Sequence, residues 1–176
     1  MSDISIVTAF FDIGRGTWTP EKGFPHYIER TTDTYFERFG YLAKLDNDMT
    51  VYTSADLKQR VLDIRGDKKT NVVVIDFKNE FEELRKKISD VQTSKEYQSQ
   101  INPSQIKSPE YWNADYVLVN ALKSTFVRNS INNGLTEHDM VAWIDFGYCR
   151  SESNIPPSQK WDYDFNPEKI HLFSYK

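Results

Sequence analysis

Residues 4–11 read ISIVTAFF and residues 140–144 read MVAWI. Each is a run of apolar and β-branched side chains that ends on a turn signal, Asp12 with Gly14 and Gly16 after the first, Asp145 with Gly147 after the second. Runs that do not alternate polar with apolar suit strands covered on both faces. Residues 49–53 (MTVYT) repeat the signal more briefly, and residues 71–75 (NVVVI) read as the clearest buried strand. Between them, Tyr35, Phe39 and Leu42 recur at four and three residues, one face of a helix over residues 27–45. Ser54 stands as the N-cap of a helix over 55–64, and Phe81, Leu84 and Ile88 space another. Residues 93–108 are polar and read as a surface loop, and residues 109–132 read as one long helix opened by Pro109 and stopped by Asn133 and Gly134. Strands that alternate with helices pair in parallel through crossovers. The expected fold is therefore α/β, a mostly parallel, doubly wound sheet of Rossmann-like type, with a last short strand at residues 170–173.

At 176 residues the chain has the length of one domain. Residues 1–150 read as the α/β domain, and residues 151–176, with Pro156 and Pro157, as a tail packed on it. The hydrophobic share of 39%, 14% aromatics and mixed charges argue for a packed globule. A net charge of −4, with no basic block in the sequence, disfavours nucleic acid as a partner. Cys149 is the single cysteine and has no partner for an internal disulfide, which fits a reducing, cytoplasmic setting. The apolar run near the start lacks a basic segment before it and is too short to span a bilayer, so no transmembrane segment is expected.

In open parallel sheets ligands bind beyond the carboxyl ends of the strands, so residues 8–11, 52–53, 76 and 145–148 are expected to be neighbours. Asp145 leaves its strand where a carboxylate meets a ribose or a metal ion, with Gly147 allowing close approach of the backbone. The structural alternative is an Asx-type turn with Gly147 supplying an unusual dihedral. Arg15, between Gly14 and Gly16, can hold phosphate or carbonyl oxygens in a fork, or can be a solvated loop side chain or a partner of Asp12. Asn120 and Lys123 share one helix flank, from which Lys123 reaches a phosphate or lies over apolar neighbours. Thr8, Tyr52 and Arg65 are weaker candidates, for backbone-level base contact, base stacking and phosphate contact respectively; such residues are more often core or surface. Trp18, Trp112 and Trp143 read as core or its rim. His26, His138 and His171 have no metal-ligand spacing to one another. The letters DFG at 145–147 recur in protein kinases, but neither a catalytic HRD loop nor a glycine-rich loop precedes them.

TAFFDIGRGTW at 8–18, VNALKSTFV at 119–127 and WIDFGY at 143–148 resemble, in order and spacing, the HtrL/YibB family of bacterial proteins. The resemblance covers most of residues 3–150. It implies a GT-A-like nucleotide-diphospho-sugar fold and the synthesis of lipopolysaccharide or another surface glycan, hence a cytoplasmic protein peripheral to the inner membrane. It further implies a nucleoside-diphosphate sugar as donor, a glycan as acceptor, and a site built from Thr8, Arg15, Tyr52, Arg65, Asn120, Lys123, Asp145 and Gly147. Enzymes of that fold hold Mn²⁺ or Mg²⁺ with an Asp-x-Asp motif. Here Gly147 stands at the second acidic position, so Asp145 is the one metal ligand this implies and metal dependence is left open. The competing expectations are a non-catalytic nucleotide-sugar or glycan binding module and an interaction protein that forms a homodimer through an exposed sheet edge.

Overall fold

The computed structural model describes residues 2–173. Strand β1 (Ser2–Phe10) leads through a loop with three short 3₁₀ turns to helix α1 (Thr32–Leu42). There follow β2 (Met49–Thr53), α2 (Lys58–Arg65), β3 (Thr70–Val74), α3 (Phe77–Glu80), α4 (Glu82–Thr93), α5 (Lys95–Gln100), α6 (Ala114–Ala121), α7 (Lys123–Asn132), β4 (Met140–Trp143) and β5 (Asp162–Tyr163). The sheet order is β3-β2-β1-β4, all parallel, and β5 pairs antiparallel with Ser2 and Asp3 of β1. This is a mixed α/β fold with one mostly parallel sheet.

The pleat of β1 divides the core in two, because successive side chains point to opposite faces. Ile6 and Phe10, with Met49 and Val51 of β2, meet Phe36, Phe39 and Leu42 of α1 and Val61 of α2. Val7, Ala9 and Phe11, with Tyr52 of β2, meet Phe77 of α3, Leu118 of α6 and Phe126 of α7. Helices thus cover both faces, and the two central strands are buried on both sides. The doubly wound arrangement expected from the unbroken apolar runs follows.

Several expectations need correction. Residues 71–75 look the most buried in sequence, yet β3 is only partly buried because it is a sheet edge, while the plainer MTVYT of β2 is buried throughout. Helix α1 begins at Thr32, not near residue 27, because the Thr31 side chain accepts from the Thr34 amide and fixes the N-terminus there. The polar stretch 93–108 contains α5, capped by Ser94, whose hydroxyl accepts from Tyr97 N. The expected long helix over 109–132 is instead a 3₁₀ turn followed by α6 and α7. Asn113 restarts the helix by accepting from Tyr116 N, and Leu122 lies at the junction of the two helices. The late strand is β5, not residues 170–173, where Ile170, Leu172 and Phe173 are exposed. The tail is nonetheless tied into the sheet: Asn47 exchanges hydrogen bonds with the Trp161 backbone, donating to its carbonyl and accepting from its amide, each 2.8 Å. No helix among the described residues is long and apolar enough to cross a membrane.

Candidate functional site

The winding changes direction at β1, with β2 and β3 on one side and β4 on the other. The carboxyl ends of β1 and β4 therefore flank a topological switch point, where the helical connections diverge and leave a crevice. A pocket of about 810 Å³ opens there, within the range of small-molecule and cofactor sites. Its walls include the end of β1 and the loop after it, the facing flank of α6 and α7, the exit of β4, and Arg150, Ser151 and Asn154 from the start of the tail.

Five of the eight residues expected at the site line this pocket: Arg15, Asn120, Lys123, Asp145 and Gly147. Asp145 accepts at Oδ1 from Lys123 Nζ and from Trp143 Nε1, each at 2.7 Å. Among the described residues its side chain caps no backbone amide, so the Asx-turn alternative does not describe it; the turn closes through Tyr148 N donating to Asp145 O. Lys123 does not lie idle over apolar surface, since its ammonium is held by Asp145, 5.8 Å from the centre of the Trp143 ring. Asn120 donates back to the Tyr116 carbonyl at 2.8 Å.

Arg15 follows Gly14, whose φ of +82° turns the chain out of β1. Its guanidinium donates to Ile28 O from Nε (3.2 Å) and Nη2 (2.8 Å) and to the Tyr35 hydroxyl from Nη1 (2.6 Å). It also lies between 5.5 and 5.9 Å from the ring centres of Trp18, Tyr35 and Tyr116. Asp12 is not its partner, because that carboxylate accepts from Gly14 N and Thr32 Oγ1. Trp18 is buried against Trp112, as expected for a core residue.

Gly147 is required by space, not by dihedral angle. A Cβ at this position would stand 2.9 Å from Tyr35 Cδ1 and 3.1 Å from Cε1, and the Tyr35 ring is itself packed against Phe10 at 4.7 Å. Gly147→Ala must push the ring that holds Arg15, so it is expected to cost about 1–3 kcal/mol of overpacking. Urea unfolding of the purified variant measures this, and an unchanged midpoint would contradict the close packing.

The three remaining candidates lie away from the pocket lining. Thr8 is fully buried mid-strand, and its Oγ1 has no hydrogen-bond partner among the described residues. Tyr52 is buried against Phe126 with ring centres 4.5 Å apart, and its hydroxyl is 3.0 Å from Ser130 Oγ, so it has no face free to stack on a base. Arg65 sits at the opposite, amino-terminal end of the sheet, where it donates to the carbonyls of Ala43, Leu45, Asn47 and Lys69 and to Thr70 Oγ1. Burial pulls this guanidinium down to about 10, while Asp46 and Asp48 act in the other direction, and it remains charged at neutral pH.

Two pocket residues had no signal in the sequence, Arg30 and Arg150. Burial lowers the pKa of Arg30, and the neighbouring charges of Arg38, Arg15 and Arg150 lower it further, so these cations crowd one another. Among the described residues no carboxylate pairs with Arg15, Arg30, Arg38 or Arg150. Arg15, Arg30 and Arg150 thus bring positive charge that no carboxylate pairs among the described residues to a lining that also holds Asp12 and Asp145.

A sequence profile described as "Bacterial protein of unknown function (HtrL_YibB)" matches residues 2–176. The curated Protein HtrL of Escherichia coli (strain K12) is 46% identical over 175 residues, covering 99% of this chain and 61% of that protein. The chain thus spans about three fifths of the length of that relative. No solved structure matches. A match along nearly the whole chain assigns it to the HtrL/YibB family, and residues of TAFFDIGRGTW and WIDFGY line the pocket.

Proposed function

We propose that the pocket at the β1/β4 switch point binds a nucleoside-diphosphate sugar, and that the chain is the donor-binding part of a GT-A-like glycosyltransferase acting on a surface-glycan acceptor. The carrying observation is the convergence of Arg15, Arg30, Lys123 and Arg150 on one pocket of a protein whose net charge is −4. A diphosphate takes up such a cluster through charge-assisted hydrogen bonds. The aromatic surface of Tyr27, Tyr116 and Trp143 in the same lining suits a base or a sugar face. In the transfer, the bond between the anomeric carbon and the diphosphate oxygen breaks and its electron pair leaves with the diphosphate. An acceptor hydroxyl oxygen forms the new bond to that carbon, and its proton passes to water. The arginines and Lys123 stabilise the charge that develops on the leaving diphosphate.

The donor set fits Mn²⁺ or Mg²⁺ poorly. The Asp145 carboxylate is already engaged by Lys123 and Trp143, and Gly147 offers no second one. Protein cations fill the neutralising role in this reading, and donor binding needs no added metal.

Calorimetry of the folded chain against UDP, GDP, CDP and their sugars, with and without Mn²⁺, tests the proposal. One nucleotide is expected to bind, and Lys123→Ala or Arg150→Ala to weaken it by about 10–100-fold, the value of one charge-assisted hydrogen bond. Absence of binding at millimolar concentrations would falsify the donor-site reading. Binding without transfer to any glycan would select the binding-module alternative.

A further inference from the structure

The amino-terminal end of the sheet, opposite the pocket, carries a second group of polar side chains. Asp48 precedes β2, while Glu137 and His138 lie on the segment that enters β4. One ligand atom from each falls within 4.8 Å of the others. Asp48 is 6% exposed, and its Oδ1 has no hydrogen-bond partner among the described residues. That same oxygen faces His138 Nε2 at 3.5 Å.

This spacing is long for a hydrogen bond. It is close to the separation of two ligands on one tetrahedral ion, since donors bound at roughly 2.0–2.1 Å stand about 3.3–3.4 Å apart. A buried carboxylate oxygen left without a donor is costly unless a cation meets it. The supporting backbone is held in place: Ser5 Oγ accepts from the amides of Glu137 (3.0 Å) and His138 (3.1 Å), and Thr50 and Asn71 both donate to the Leu135 carbonyl. Glu137 pairs with Lys69 through Oε1 and retains its second oxygen.

We infer that Asp48, Glu137 and His138 form a binding site for a divalent cation of the zinc class, with the buried Asp48 Oδ1 aimed at the ion. An imidazole beside two carboxylates selects Zn²⁺-type ions over Mg²⁺ or Ca²⁺. His138 and Glu137 are partly open to solvent, so water completes the coordination. The ion ties the chain entering β4 to the chain entering β2, and it is separate from any metal at Asp145.

The test is titration of the chelator-treated, folded chain with Zn²⁺, followed by calorimetry and thermal melting, with Co²⁺ as an absorbing probe. One ion per chain should bind with micromolar or tighter affinity and raise the melting temperature. Asp48→Asn and His138→Ala should each weaken binding by about 100-fold or more, because even changes to residues that only support a metal ligand cost about 10–100-fold. Asp145→Ala should leave Zn²⁺ binding unchanged. His138 is partly exposed, so its variant keeps the test decidable if Asp48→Asn fails to fold. The site is overturned if the folded chain binds no stoichiometric Zn²⁺, or if binding survives His138→Ala.

Discussion

Arg65→Ala should remove at least about 4 kcal/mol of stability, because each buried acceptor it strands costs about 1–3 kcal/mol. A guanidinium has five N–H donors. Here all are used: Nη1 donates to Ala43 O (3.0 Å) and Leu45 O (2.7 Å), Nη2 to Asn47 O (2.8 Å) and Lys69 O (3.2 Å), and Nε to Thr70 Oγ1 (2.8 Å). The side chain joins the turn before β2 to the start of β3 with 2% of its surface exposed. Four carbonyls lose their donor in the alanine variant, and re-entering water can serve only some of them. Small domains hold about 5–15 kcal/mol in total. Arg65→Lys should be nearly as damaging, since a compact ammonium cannot reach four carbonyls spread across a planar fork. Urea unfolding measures both, and a loss under about 1 kcal/mol for Arg65→Ala would remove this residue from the framework.

Phe146→Ala should cost about 3–5 kcal/mol, the usual range for emptying a buried aromatic position. Phe146 is 2% exposed and stacks on Phe39 with ring centres 4.1 Å apart and planes 5° from parallel; Phe10 and Phe36 stand at 5.1 and 5.2 Å. It lies between Asp145 and Gly147, so the side chain that anchors the β4 exit loop also holds two pocket residues in position. Nucleotide affinity is expected to fall along with stability in the alanine variant, whereas Phe146→Leu should recover most of both. Equal stability for Phe146→Ala and the parent in urea would show that the loop is held by other contacts.

Asp145 and Lys123 were each legible as candidates because each is local to a strong pattern, one at the exit of an apolar strand and the other on the flank of a helix. Arg15 was legible from its glycine-flanked position directly after β1. Arg30 and Arg150 were not, since each lies in an irregular segment with no periodicity to orient it, and the two are 120 positions apart in sequence. A net charge of −4 also concealed a pocket rich in cations, because composition averages over a surface that folding sorts. The group at Asp48, Glu137 and His138 escaped for a similar reason: metal-ligand spacing is sought within a motif, and here the ligands come from the starts of two strands that are not adjacent in the sheet.

By itself the sequence determined the α/β class, the positions of the four parallel strands, the residues that leave them and the family. These depend on unbroken apolar runs and on the turn chemistry at their ends, which are local properties. Tertiary structure alone decided which strands are central. NVVVI is richer in β-branched residues than MTVYT, yet β3 is an edge and β2 is buried, because strand order depends on how helices pack over both faces. It also decided that Arg65 holds the framework while Arg15 faces the pocket. Both are arginines close to the end of an element, but β1 delivers Arg15 to the carboxyl end of the sheet and α2 returns Arg65 to the amino end, where four backbone carbonyls and the Thr70 hydroxyl accept from it.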